Sequence, residues 1–193
     1  PPKTPFYQKF LYFIAFGTIS GGVAYYLWWP KHTFPSSVAK ILRKGLHAES
    51  DKGDCDFQLA LKYYIQALQE CDSLEMDKLS DEYTGIQLKI AEMFERMHMI
   101  DDAAFIYNEI AILYLKVLTA PPKSKEGARI KNEAHRAHLI QKDLRIAMKI
   151  AMLNEDNYPL CKGILTTHLL IAQDLVQRRL GPKHTLYTLF DVS

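Results

Sequence analysis

The sequence predicts an all-α protein in which one N-terminal transmembrane helix precedes a solenoid of about three helical hairpins. Three observations carry this. Residues 10–29, FLYFIAFGTISGGVAYYLWW, hold no charge; six later stretches repeat apolar residues at three- and four-residue steps; and no stretch alternates convincingly with the two-residue period of a strand. The expected organisation is a flank at 1–9, the membrane helix at 10–29, a spacer at 30–36, a helical domain at 37–180 and a C-terminal segment at 181–193, expected to be incomplete.

The membrane reading rests on length. Between Lys9 and Lys31 the chain is uncharged, and about 20 helical residues at about 1.5 Å each match a hydrocarbon layer of about 30 Å. Tyr7 and Tyr12 stand near one end and Tyr25, Tyr26, Trp28 and Trp29 near the other, where amphipathic rings favour the headgroup region, and Pro30 ends the helix. Of the two rival readings, a signal peptide is opposed by bulky Leu27, Trp28 and Trp29, poor material for a cleavage site. A buried core helix is opposed by the length of the uncharged run in so small a domain. Gly17, Ser20 and Gly21 form a small-residue strip on which a second membrane helix can pack. Basic residues flank both ends, so charge does not set the orientation.

The helices of the remaining domain follow in order. Ser36 or Ser37 caps the first, with Val38, Ile41, Leu42 and Leu46 as its apolar face. The second runs from about Phe57 to Leu74 with Leu59, Leu61, Tyr64, Ile65 and Leu68. The third begins after Ser80 and carries Ile86, Ile90, Met93, Phe94 and Met97. The fourth opens at Asp101 or Asp102, includes Phe105, Ile106, Ile110, Leu113 and Leu118, and ends at the prolines of TAPPKSKEG. The fifth spans about Ala128 to Leu153, with Ile130, Leu139, Leu144, Ile146 and Ile150. The sixth spans about Tyr158 to Leu180, stopped by Gly181 and Pro182.

Composition narrows the function. The 193 residues are 48% hydrophobic and 24% charged, enough apolar material for a core. The net charge of +2 comes from Lys3 and Lys9, so from Lys31 onward the charge is balanced and gives no support for nucleic-acid binding. Lys123, Lys125, Arg129, Lys131 and Arg136, interrupted by Glu126 and Glu133, read as a solvated loop and helix face. Cys55, Cys71 and Cys161 have neither zinc spacing nor disulfide density. His135 and His138 lack a third ligand. Asp51, Asp54 and Asp56 resemble a calcium loop only until Lys62, where that loop needs glutamate. No metalloprotease, phosphate-loop or nucleophile-elbow motif is present, so no enzymatic role, metal or cofactor is expected. Met93 and Phe94 read as core, and Met97 and Met99 as more open.

A repeat period links the helices. Ala60, Tyr64 and Ala67 sit four and three residues apart, and Ala103, Tyr107 and Ile110 repeat that spacing; Ile90, Ala91 and Phe94 precede the second set. This pattern resembles the tetratricopeptide repeat, in which a small residue lets two helices approach and a neighbouring aromatic fills the groove. The resemblance implies a right-handed solenoid. Residues from Thr84 to about Val117 fit its 34 positions well. The first repeat accepts Gly45 or Ala48 as its small residue only with an insertion near Asp51 to Asp56. The third pair keeps Ile146, Ala147 and Ile150 but loses the second-helix signature. A face built from the first helix of each hairpin is the expected peptide-binding surface, with Lys40, Arg43, Lys44, Gln87, Lys89, Glu92 and Arg96 as its candidates.

The N-terminal PFYQKFLYFIAFG, the short proline-containing spacer and the hairpins together resemble the fungal adaptor subunits of the i-AAA protease supercomplex of the mitochondrial inner membrane. That resemblance implies a single-pass protein with its repeats in the intermembrane space. It implies an AAA protease and a sister adaptor as partners, and unfolded membrane proteins as cargo. It also implies a chain that continues past Ser193. The same scaffold serves, as the alternative, in a receptor or assembly factor that holds a folded partner on another organelle membrane.

Overall fold

The computed structural model describes residues 33–53 and 55–180. These form six α-helices: α1 Ser36–Glu49, α2 Phe57–Ser73, α3 Asp81–Arg96, α4 Ile100–Thr119, α5 Glu133–Leu153 and α6 Tyr158–Leu180, with a 3-10 turn at Gly127–Arg129 before α5. No strand occurs among the described residues. Backbone contacts run chiefly between consecutive helices, α1 with α2, α2 with α3 and so on to α6, which is the sequential packing of a helical-hairpin array.

Local chemistry sets the helix ends. Asp56 and Ser80, in extended backbone, accept the N–H groups of Leu59 and Tyr83 and so cap α2 and α3. Asp56, read from sequence as a loop acid, is thus the start signal of α2. At the other end, α2 and α3 stop in the same way. Glu75 and His98 adopt left-handed φ of 52° and 60°, and the N–H groups of Met76 and Met99 return to the carbonyls of Cys71 and Phe94, at 3.0 and 2.9 Å. This is a Schellman closure made without glycine.

The fifth helix begins at Glu133 rather than the expected Ala128. Asn132 is extended and its Oδ1 accepts the His135 N–H at 2.7 Å, a stronger start signal than the apolar periodicity that continued back to Ile130. Ile130 lies outside the helix yet packs against the core.

The core combines Leu79, Ala91, Ala103, Tyr107, Ile110, Ala111, Tyr114, Val117, Leu139, Ile140, Ile146 and Ile150. Three expected apolar positions are exposed rather than buried: Leu46, Ile65 and Phe105 at 48%, 38% and 62%. The helices rest instead on small and aromatic residues one position away or more, namely Gly45 and Ala48, Tyr64 and Ala67, and Ala103 and Tyr107. Met93 is fully buried, Phe94 is partly buried against the core, and Met99 is 43% exposed.

No helix among the described residues is long and apolar enough to cross a membrane. The run at 10–29, with Gly17, Ser20 and Gly21, lies outside the described residues.

Candidate peptide-binding face

In the first hairpin a small residue of α1 meets a tyrosine of α2, and in the second Ala91 of α3 and Tyr107 of α4 share the core. A Cβ placed on Gly45 would stand 2.7 Å from Tyr64 Cε1, so glycine allows α1 to lie directly on the buried ring. Ala60, Tyr64 and Ala67 are fully buried on α2, Ala91 and Ala103 are fully buried on α3 and α4, and Ile90, Tyr107 and Ile110 are 2–3% exposed. Four residues beyond Gly45 and Ala91 stand Glu49 and Glu95. Tyr107 Oη donates to Glu95 Oε1 at 2.5 Å. Glu49 stands in the corresponding place beside Tyr64, although the Tyr64 hydroxyl and Glu49 Oε2 are buried without a well-oriented hydrogen bond. Burial first, then the neighbouring carboxylate, pushes both tyrosines well above the ordinary tyrosine range.

Those glutamates also tie the first helices of the hairpins to one another. Lys89 Nζ of α3 donates to Glu49 Oε1 of α1 at 2.9 Å, and Lys149 of α5 reaches Glu95 of α3 at 3.1 Å. At the opposite end of α3, Asp81 Oδ1 accepts from Lys142 Nζ of α5 at 2.7 Å and lies 2.9 Å from His138 Nε2. Contact at the start of α3 is with earlier residues of α5 and contact at its end is with later ones, so the two helices run parallel.

The hydrogen bond from Lys142 holds the Asp81 carboxyl below the usual carboxylate range, with His138 adding to it against a modest opposing effect of burial. Burial alone would draw the Lys142 ammonium down, but its bond to Asp81 keeps it above the ordinary lysine value.

Beside the Asp81–Lys142 strut lies a groove of about 280 Å³, lined by Asp81, Thr84, Gly85, Leu88, Tyr114, His138, Lys142, Arg145 and Ile146. Its floor is a buried pair of hydroxyls, Thr84 Oγ1 and Tyr114 Oη, 3.2 Å apart. Thr84 already donates its single hydrogen to the Ser80 carbonyl, so Tyr114 is the donor between them.

The candidates named from sequence fall into two groups. Lys89, Glu92 and Arg96 are joined in one chain of ion pairs on α3 that reaches Glu49; Arg96 also lies over the Phe57 ring, 5.3 Å from its centroid. Gln87 is half-buried beside them. Lys40, Arg43 and Lys44 are exposed on α1, with Lys44 5.9 Å over the Tyr63 ring.

Sequence reasoning missed Asp81, Gly85, Lys142 and Arg145. A glycine inside a helix was the signal that pointed there; the ion pairs join residues 54 and 61 positions apart and leave no periodic trace.

Other residues singled out from the sequence take these places. Of the basic cluster, Arg129 pairs with Asp77 at 2.6 Å and Arg136 is buried, donating to the Leu118 carbonyl at 3.1 Å. His135 Nδ1 accepts the Lys131 N–H, while His138 faces Asp81. Among the described residues no three His, Cys, Asp or Glu side chains gather as a metal site, and Cys55, Cys71 and Cys161 are free thiols.

Hairpins stacked in chain order, joined along their first helices by charged struts around an open groove, define a helical-repeat protein. Comparison with known proteins shows what the chain is similar to. Residues 121–189 match the MGR3 middle domain. Over 154 residues, 78% of this chain, it is 40% identical to "Protein MRG3-like" of Saccharomyces cerevisiae, covering 32% of that protein. Over 156 residues, 79% of this chain, it is 38% identical to the "Mitochondrial inner membrane i-AAA protease supercomplex subunit MGR3" of the same yeast, covering 30% of it. A "TPR repeat-containing protein" of Schizosaccharomyces pombe is 32% identical over 77 residues, 40% of this chain and 22% of that protein. Over most of its length the chain is thus similar to MGR3 and its relative, and it spans about a third of the length of the curated yeast relatives it matches. No solved structure matches.

Proposed function

We propose that this chain is part of a membrane-anchored, non-enzymatic adaptor of the i-AAA protease complex in the mitochondrial inner membrane. In this reading its repeats face the intermembrane space, bind unfolded or misfolded membrane proteins and present them for degradation. The observation that carries this is the likeness, over most of the chain, to a relative named as a subunit of that supercomplex. The groove between α3 and α5, together with the candidates on α1 and α3, supplies a surface for an extended polypeptide. The uncharged run at 10–29 supplies the anchor. The mechanism is mass action: holding cargo beside a protease raises its local concentration, so modest contacts suffice.

Affinity purification of the tagged full-length protein in mild detergent is expected to recover an ATP-dependent protease and a sister adaptor; recovery of neither overturns the assignment. Carbonate extraction should leave the protein in the membrane pellet. Added protease should spare the repeats in intact mitochondria and cut them once the outer membrane is ruptured. Cleavage in intact organelles would instead support a receptor on another membrane.

A further inference from the structure

The groove between α3 and α5 differs from its surroundings in two ways. Gly85 sits in the interior of α3, and a Cβ added there would meet nothing within 4 Å. Such a glycine lowers helix stability by roughly 0.5–1 kcal/mol relative to alanine, and no close packing demands it. Its effect is to leave open space on the wall of the groove at Gly85. The charges are also unequal. Asp81, the carboxylate of the lining, is already engaged by Lys142 and His138. Arg145, exposed at the rim, has no ion pair or hydrogen bond among the described residues. The lining therefore offers one uncommitted guanidinium beside an apolar gap, and its acid is neutralised.

We propose that this groove is a docking site for extended polypeptide segments in which an acidic side chain adjoins apolar ones. Arg145 receives the carboxylate, and the space over Gly85 takes a neighbouring apolar side chain. A guanidinium presents paired N–H donors that suit a carboxylate better than a lysine ammonium does. Apolar contact with Leu88 and Ile146 adds affinity without sequence specificity. The proposal rests on the adaptor reading above, in which the repeats hold unfolded chains, and it names the class of segment they hold at this point.

The test uses the full-length protein in nanodiscs and fluorescence anisotropy with three labelled twelve-residue peptides of leucine, alanine and serine, carrying two glutamates, two glutamines or two lysines. At low salt the glutamate peptide should bind at least tenfold more tightly than the lysine peptide, with glutamine between them. Arg145→Glu should invert that order. Gly85→Leu should weaken all three at least tenfold while the melting temperature holds, since the added side chain enters open space. Equal binding of the three peptides by the wild type, or unchanged binding after Gly85→Leu, overturns the proposal. In that event an unfolded membrane protein fragment decides the wider reading: if the fragment still binds, the adaptor role stands and only the groove assignment falls. If neither peptide nor fragment binds, both fall.

Discussion

The first two hairpins and the third bury polar groups in different ways, and the difference shows what each part of the array is built to do. In the first two, a tyrosine hydroxyl lies beside a glutamate four residues past a small residue, and that glutamate also receives a lysine from the next hairpin. The polar contact is partly open and joins neighbours. In the third, Asp143 of α5 and His168 of α6 meet at 2.6 Å inside the core, 0% and 5% exposed, and Asp143 Oδ1 has no partner. That contact joins only the two helices of the hairpin. The matched MGR3 middle domain, residues 121–189, covers this third hairpin.

The sharpest way to break the comparison is to remove one member of the buried pair. Asp143→Ala leaves His168 enclosed without its acceptor and should destabilise by about 3 kcal/mol. Hydrogen exchange should then show α6 losing protection while α1 to α4 keep theirs; uniform loss across all six helices would mean that the third hairpin is no separate unit. Next in size is the contact of Gly45 with Tyr64. Gly45→Ala drives a methyl into a buried ring and should cost about 1–3 kcal/mol by thermal unfolding. Gly85→Ala, with nothing to strike, should raise stability by up to about 1 kcal/mol. Opposite signs for two helical glycines would separate the one that permits close packing from the one that keeps a groove open.

A third contrast lies between Tyr107 and Tyr64. Tyr107→Phe removes a hydrogen bond to a carboxylate and should cost about 1.5–3 kcal/mol, whereas Tyr64→Phe removes a hydroxyl without a well-oriented partner and should change stability by less than about 1 kcal/mol. Equal losses would show that Glu49 serves Tyr64 as Glu95 serves Tyr107.

The smallest effect is the Asp81 strut. Its folded-state pKa is depressed, so its contribution is present above the unfolded value and is lost as pH falls through the folded one. Asp81 is 64% exposed, so Asp81→Asn should cost less than about 1 kcal/mol at neutral pH. The gap from wild type should close on acidification; a gap that widened would contradict the ion pair.

Most of the helices were legible in the sequence because cap residues and apolar spacing are local signals: Ser80, the double proline and the small-aromatic pattern mark where helices start, stop and pack. What stayed hidden was of two kinds. Glu75 and His98 close helices in a left-handed conformation that glycine usually announces. Leu46, Ile65 and Phe105 are large and apolar, yet alanines and tyrosines hold the interface, since the close approach of the helices favours small residues over large ones. At the candidate face, Lys89, Glu92 and Arg96 were recognisable as one helix surface. Their counterion Glu49, and the Asp81–Lys142 strut, depend on which helices stack, which no single helix encodes.

One consequence follows from helices that touch chiefly the helix before and the helix after. Disturbance in such an array travels by relay, through the packing of neighbouring helices and the ion pairs between alternate ones, and fades on the way. A polypeptide pulling on α5 is thus felt by α3, α4 and α6 before α1, so one end of the row can yield under load while the other keeps its form.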